Sequence, residues 1–482
     1  MRIRWIAFGL LAATLCVPPA HAQTEPLGGR PPRSRPSVPD LEAQVAYQRA
    51  FEAVVWAMPA SAIYRLRVGL TEVPGMADNV ILAYSVPLKP KDEAITPNTV
   101  TPYISAFTDL RNGPVVLDLP AKTEKASLYG QIVDAWQTTI ADVGPAGLDK
   151  GAGGKYLLIP PGYGGAIPDG YLPIRSQSFR IALAFRSVRA PSATDADAYD
   201  YTRTLKMYPL SEAADPKTQR FIDGRPFRVH TLPFYDIRAL QDIKDITDVE
   251  PVQPQDKVMV GMLASLGIER GKPFNPQGKI KAAMERGVAD AYFYMHDLDT
   301  QLFESHLYWP DRHWSFVMVP DQNRGFEFVT DDSVEIDARA AAWHFFTFYP
   351  KVLSERVGTV YLAPTADSAG RKLEAGRTYK LTVPADTPVK QFWSLTIYDA
   401  ATWALIPSPS ERGGLSSFEK DRMKLNADGS VDLYFGPKAP KGQEANWIPT
   451  MGKKPYVWFR LYGPDEAFWN KSFKMPDPIR VQ

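Results

Sequence analysis

The chain has 482 residues, with 55 basic against 54 acidic side chains, 45% hydrophobic residues and one cysteine. This near-neutral balance gives no global basic field, which argues against nucleic acid as a partner, and the length allows a core that needs no disulfide or metal for stability. The 44 prolines, well above the usual share of about 5%, favour many turns and short strands over a helical bundle.

In chain order, Arg2 and Arg4 precede an apolar run from Trp5 to Val17, then Pro18-Pro19 and the small-x-small site Ala20-His21-Ala22. The run is shorter than the roughly 20 residues that cross a bilayer as a helix. The layout is that of a secretory signal peptide over 1–22, cleaved near Ala22/Gln23. A lipoprotein signal at Cys16 fits less well, because Leu15 stands where a small residue is wanted. Cleavage removes Cys16, the only thiol, which suits an oxidising compartment and leaves the mature chain without cysteine nucleophiles, thiolate metal sites or redox pairs. No later window is apolar enough to span a bilayer. The expected location is periplasmic or secreted.

Residues 23–39, rich in Pro, Arg, Gly and Ser, read as a disordered lead-in. An N-terminal helix plus a β-rich domain is expected over 40–197. Asp40 is placed to cap a helix whose Tyr47, Phe51, Val54, Val55 and Met58 recur at helical spacing, and Pro59 is expected to end or kink it. Strands are expected over Pro114 to Pro120, Ala126 to Trp136, Tyr156 to Ile159 and Ser178 to Val188. In the last, Phe179, Ile181, Leu183 and Phe185 face one way, and Arg180, Ala182, Ala184 and Arg186 the other.

A mainly helical segment follows over 198–356. Val258, Met259, Met262, Leu263 and Leu266 make one apolar stripe. Ile280, Met284, Val288, Ala291, Met295, Leu298 and Leu302 make a second, and Ala338, Ala341, Ala342, Phe345 and Phe346 mark a third helix. A C-terminal β-sandwich or jelly roll is expected over 357–482, with strands at Tyr379 to Val383, Phe392 to Asp399, Ser430 to Phe435 and Tyr456 to Tyr462. The fold class is therefore α+β and β-rich: a sandwich-like N-terminal region, a helical middle and a jelly-roll-like C-terminal domain.

Most motifs that would carry chemistry are missing: no His-Glu-x-x-His, no Gly-x-Ser-x-Gly elbow and no phosphate loop. Gly151-Ala152-Gly153-Gly154 reads as a glycine turn, and Asn426-Ala427-Asp428-Gly429 as a hairpin turn rather than a calcium loop. His296, His306 and His313 fall close in sequence to Asp297, Asp299, Glu304 and Asp311. On a continuous helix, however, His296 and His306 stand about 15 Å apart at about 1.5 Å per residue, too far to share one ion. No metal and no cofactor is expected, although a loop partner for one of these histidines stays open.

The remaining signal is polar groups set among aromatics. Asn98, Thr101 and Tyr103 lead into one strand; Tyr129, Gln131, Asp134 and Trp136 lie along another; Trp393 and Tyr398, then Asn446 and Trp447, repeat the theme. Buried polar side chains need partners, so each cluster is a hydrogen-bonded structural network or a ligand site.

These segments resemble a known bacterial pairing. Ala53 to Pro59, Asn98 to Tyr103, Gly113 to Leu117 and Tyr129 to Trp136 are similar to the family called domain of unknown function 1254. Phe392 to Asp399, Asp428 to Ser430, Asn446 to Pro449 and Arg460 to Pro464 are similar to its usual companion, domain of unknown function 1214. The resemblance implies a β-rich architecture with a helical insertion, and it implies no reaction. Val100 stands where the family often has an aspartate, and Gly413 where its C-terminal half usually has a tyrosine after the arginine.

Two functions follow as expectations. One is a periplasmic hydrolase acting on a small or glycan-like substrate, with Asp134 as acid or base, Arg339 or Arg412 holding an anionic group, Asn98, Tyr103 and Gln131 orienting the substrate, and Trp136, Trp393 and Trp447 as stacking surface. The other is a non-catalytic ligand-binding or envelope-associated protein. Either way the expected partner is a small-molecule or glycan ligand, with no nucleic acid and no membrane span, and the oligomeric state is not readable.

Overall fold

The computed structural model describes residues 40–145, 147–190, 192–317, 326–345, 348 and 359–481. The expected signal peptide and the 23–39 lead-in lie outside the described residues.

Helix α1 (Leu41–Thr71) continues past Pro59, where the sequence pattern predicts an end or a kink. Proline removes one main-chain donor and crowds the preceding turn. Here buried side chains on both sides of it, from Ala53 and Trp56 to Ile63 and Leu70, hold the helix together across the lost bond.

Four sheets follow. The first runs, edge to edge, Phe221–Asp223, Ile81–Ala83, Tyr103–Asp109, Arg180–Arg189, Ala126–Val133 and Thr139–Val143. The second runs Tyr171–Arg175, Gly154–Ile159, Val115–Leu119 and Lys206–Pro209. They enclose one core that includes Ile104, Leu117, Leu128, Tyr156, Leu183 and Phe185. The alternation of the Arg180–Arg189 strand holds: Ile181, Leu183 and Phe185 enter this core, and Ala182 packs on the other side with Ile63 and Leu70 of α1. Arg186 shares that second face.

The third sheet is Trp314–Phe316, Thr359–Pro364, Pro455–Pro464, Val389–Asp399 and Gly414–Ser416; the fourth is Trp447–Pro449, Val431–Gly436, Tyr379–Val383 and Ile479–Arg480. Leu362, Tyr379, Leu381, Trp393, Leu433 and Phe459 fill the space they share. The fold is α+β and β-rich, as expected.

Between the sandwiches come α2 (Asp195–Thr202), α3 (Ile237–Val249), α4 (Lys257–Ala264), α5 (Gly278–Ser305) and α6 (Ile336–Phe345); α7 (Glu466–Trp469) follows near the end. The stretch also supplies Lys206–Pro209 and Phe221–Asp223 as edge strands of the N-terminal sheets. The long stripe on α5 is buried at Met284, Val288, Ala291 and Met295. On α4 the expected stripe holds in part: Leu263 and, just past the helix, Leu266 are buried in the core with Met259 packed against it, whereas Val258 is 70% exposed and Met262 36%. A Cβ on Gly287 would lie 2.3 Å from the Tyr47 carbonyl oxygen, so α5 crosses α1 in backbone contact. The Gly151 to Gly154 stretch is a turn with positive φ at Gly151 and Gly153.

Candidate functional site

Asn98 organises a polar turn leading into the Tyr103–Asp109 strand. Its Oδ1 accepts the N–H groups of Val100 (2.7 Å) and Thr101 (3.2 Å), and its own N–H donates to the Tyr103 hydroxyl at 2.9 Å. Its Nδ2 donates to the hydroxyl of Tyr462, on the Pro455–Pro464 strand. The Tyr398 hydroxyl donates to the Pro97 carbonyl at 2.7 Å. Asn98, Tyr103 and Tyr398, singled out in the sequence, therefore meet where the first and third sheets come together.

Two arginines face each other across this junction. Arg460 is 2% exposed and sits opposite Tyr361 in strand register. Its guanidinium donates to Thr396 Oγ1 (2.8 Å), the Thr96 carbonyl (3.3 Å) and the Tyr398 hydroxyl (2.5 Å), while its Nε has no partner. Arg186, opposite Tyr103 in register, lies 5.1 Å from the Tyr103 ring centre. Burial works against both charges. What outweighs it comes from tyrosine oxygens: Tyr103, Tyr361 and Tyr462 around Arg186, and Tyr398, Tyr462 and Tyr361 around Arg460. None of these groups is a carboxylate. Burial pushes the Tyr361 hydroxyl up, yet the two guanidiniums that hydrogen-bond it hold it below the ordinary tyrosine value. Burial pushes Tyr462 up to about 12.

A cavity of about 70 Å³ opens beside these groups. Arg186 and Arg460 are its charged lining, Tyr361 a polar one, and Leu66, Leu70 and Val229 its apolar one. Tyr84 also lines it, and its hydroxyl has no hydrogen-bond partner. A broader cleft of about 630 Å³ lies next to it, with Leu88 bordering both; Thr101, Tyr129 and Arg412 line this cleft. Arg412 Nη1 also donates to the carbonyls of Glu444 and Trp447, each at 2.9 Å, tying down the C-terminal chain.

The other expected residues are elsewhere. Asp134, Trp136 and Arg339 line a separate cavity of about 220 Å³. Asp134 has left the strand, which ends at Val133, and accepts the N–H groups of Trp136 and Thr138 at 2.9 Å each. Burial pushes its carboxyl up to about 7 against those bonds. The Arg339 guanidinium donates to the Trp56 carbonyl at 2.9 Å. Gln131 Nε2 donates to Asp142 at 3.2 Å. Trp393 is core, packed on Phe459. Asn446 binds the main chain of Lys424 and Asp432 through both ends of its amide, and Trp447 Nε1 donates to the Gly436 carbonyl. These three hold the C-terminal sandwich together.

Among the histidines, His306 bonds Ser305 and His313 bonds Asp477. Neither approaches His296, which meets His344 and Asp299 instead. The sequence reading also missed Arg186, Tyr361 and Arg460 as a group. The available signal was an arginine inside the otherwise apolar run Val457-Trp458-Phe459-Arg460-Leu461.

Residues 79–209 match a family model described as protein of unknown function (DUF1254), and residues 358–466 match one described as protein of unknown function (DUF1214). A crystal structure of a Vibrio parahaemolyticus protein is similar over 91% of this chain and 100% of its own, at 17% identity and a TM-score of 0.53. That likeness concerns the fold alone. An uncharacterised Burkholderia cenocepacia protein covers 92% and 96% respectively, at 13% identity and a TM-score of 0.39. No curated protein matches the chain.

Proposed function

For this chain, which belongs to the two-part family in which a DUF1254 region precedes a DUF1214 region, we propose a role in binding a small organic carboxylate at Arg186 and Arg460. The observation that carries the reading is a pair of arginines beside a cavity where, among the described residues, the main groups acting on them are tyrosines and not carboxylates. Taking a guanidinium out of water costs several kcal/mol, on the order of what a well-placed anion returns. The tyrosine oxygens around the two arginines offset that cost, and an anion in the cavity would add a full opposite charge to them. A carboxylate suits guanidinium donors geometrically, and the Leu66, Leu70 and Val229 wall favours a short apolar body over inorganic phosphate. The broader cleft gives room for a larger ligand to extend past Thr101 and Tyr129.

Native mass spectrometry of the purified protein, followed by analysis of released small molecules, tests this. A released carboxylic acid, or rebinding of short carboxylates but not their amides, supports the reading. Equal response to acid and amide would overturn it. Export to the periplasm belongs to the same reading and rests on the signal-peptide pattern of 1–22; N-terminal sequencing of the mature protein should begin at Gln23.

A second reading, a hydrolase centred on Asp134, is favoured by one observation: a carboxyl raised to about 7 beside Trp136 and Arg339 in a cavity. A carboxyl in that range can exchange protons near neutral pH. Once a turned-over substrate is in hand, Asp134→Asn should lower kcat by about 100-fold or more. Unchanged turnover removes Asp134 from catalysis.

A further inference from the structure

His296 and Asp299 are i, i+3 neighbours on α5 and share one of its faces, and His344 comes to them from α6. One donor atom from each can be chosen so that all three lie within 4.8 Å of one another. Asp299 and His344 are each 1% exposed. Asp299 Oδ2 and His344 Nδ1 are bonded at 2.7 Å, yet Asp299 Oδ1, His344 Nε2 and His296 Nδ1 have no partner. A closed structural pair would not leave each of its members with an unpartnered polar atom, because buried polar groups are almost always satisfied.

We propose that His296, Asp299 and His344 form a binding site for one divalent transition-metal ion of the zinc or ferrous-iron class. Two imidazoles and one carboxylate are the donor set such ions take, whereas calcium and magnesium prefer oxygen alone. Donors bonded tetrahedrally to one ion at about 2.1 Å stand about 3.4 Å apart, so the site closes with a shift of at most about 1.4 Å between the widest pair. Aromatic rings hold the imidazoles in place: Tyr292 stacks on His296 at 5.8 Å between centres, and Trp403 lies 4.8 Å from His296 and 5.7 Å from His344. A cavity of about 100 Å³ borders His296, Asp299 and Trp403. Three protein ligands, two of them bordering a cavity, leave coordination positions for water or a small ligand, which is the layout of catalytic rather than structural metal sites.

This inference is independent of the arginine pocket. The test uses the full mature chain, stripped with a chelator and titrated with cobalt(II) and zinc(II). One equivalent should bind, the thermal midpoint should rise, and cobalt should develop a visible d–d spectrum without thiolate charge transfer. His296→Gln lies on a partly exposed position, so it should fold, with far-UV circular dichroism as the control. Its zinc affinity should fall by about 100-fold or more, since even outer-shell partners of a metal are worth 10–100-fold. Asp299→Asn, which keeps shape and loses charge, should do the same. Folded wild-type protein that binds no metal, or His296→Gln that binds it as tightly as wild type, overturns the proposal.

Discussion

Arg460 carries its charge at 2% exposure among Thr396, Thr96 and Tyr398 oxygens. Truncating one member of a satisfied buried ion pair costs about 3–5 kcal/mol. Here the hydrogen-bond partners are hydroxyl and carbonyl oxygens rather than a carboxylate, so removing the guanidinium strands no opposite charge. Arg460→Met should leave the ligand-free protein within about 2 kcal/mol of wild type in urea denaturation. A larger loss would make Arg460 a structural hub. Tyr361, bonded by both guanidiniums, ionises below the usual tyrosine value. Between that lowered value and about 10, the folded protein has already released the proton that the unfolded chain still holds. Stability therefore rises with pH across the window, and is lost as pH falls through the folded value. Tyr361→Phe should flatten that rise and remove the corresponding step in near-ultraviolet tyrosinate absorbance. An unchanged titration would place the tyrosinate elsewhere.

Elements were legible wherever one face is buried and one periodicity applies. The alternation from Ile181 to Phe185 and the α5 stripe from Met284 to Met295 carry over directly. Two signals carry over only in part. Pro59 does not end α1, whose burial continues on both sides of it, and Val258 with Met262 stays exposed although Leu263 and Leu266 of the same stripe are buried. The crossing of α1 and α5 gives a sign test. Gly to Ala inside a helix ordinarily stabilises by about 0.5–1 kcal/mol. At Gly287 the added Cβ would fall 2.3 Å from the Tyr47 carbonyl oxygen. Gly287→Ala should instead destabilise by about 1–3 kcal/mol in thermal or urea unfolding. A stabilised variant would mean the helices part without cost.

At the scale of the molecule, the sequence located the polar-aromatic clusters without showing which of them meet. Asn98, Tyr103 and Tyr398 converge, Asp134, Trp136 and Arg339 line a different cavity, and Trp393, Asn446 and Trp447 build the C-terminal sandwich. Arg186 and Arg460 lie on strands of two different sheets, and His344 is brought to His296 by the packing of α6 on α5. Strand pairing and helix packing leave no spacing in the chain, so neither group is visible until the sheets and helices are assembled. That is also why no motif search finds them.

The most direct measurement is isothermal titration of the purified protein with a series of short-chain carboxylates and their amides, repeated on Arg460→Met. The account predicts saturable one-to-one binding of a carboxylate, no heat from the matching amide, and a loss of affinity of about 100-fold or more in Arg460→Met, as for a buried charge-assisted contact worth about 3 kcal/mol. Binding of acid and amide alike, or full affinity in Arg460→Met, would contradict it.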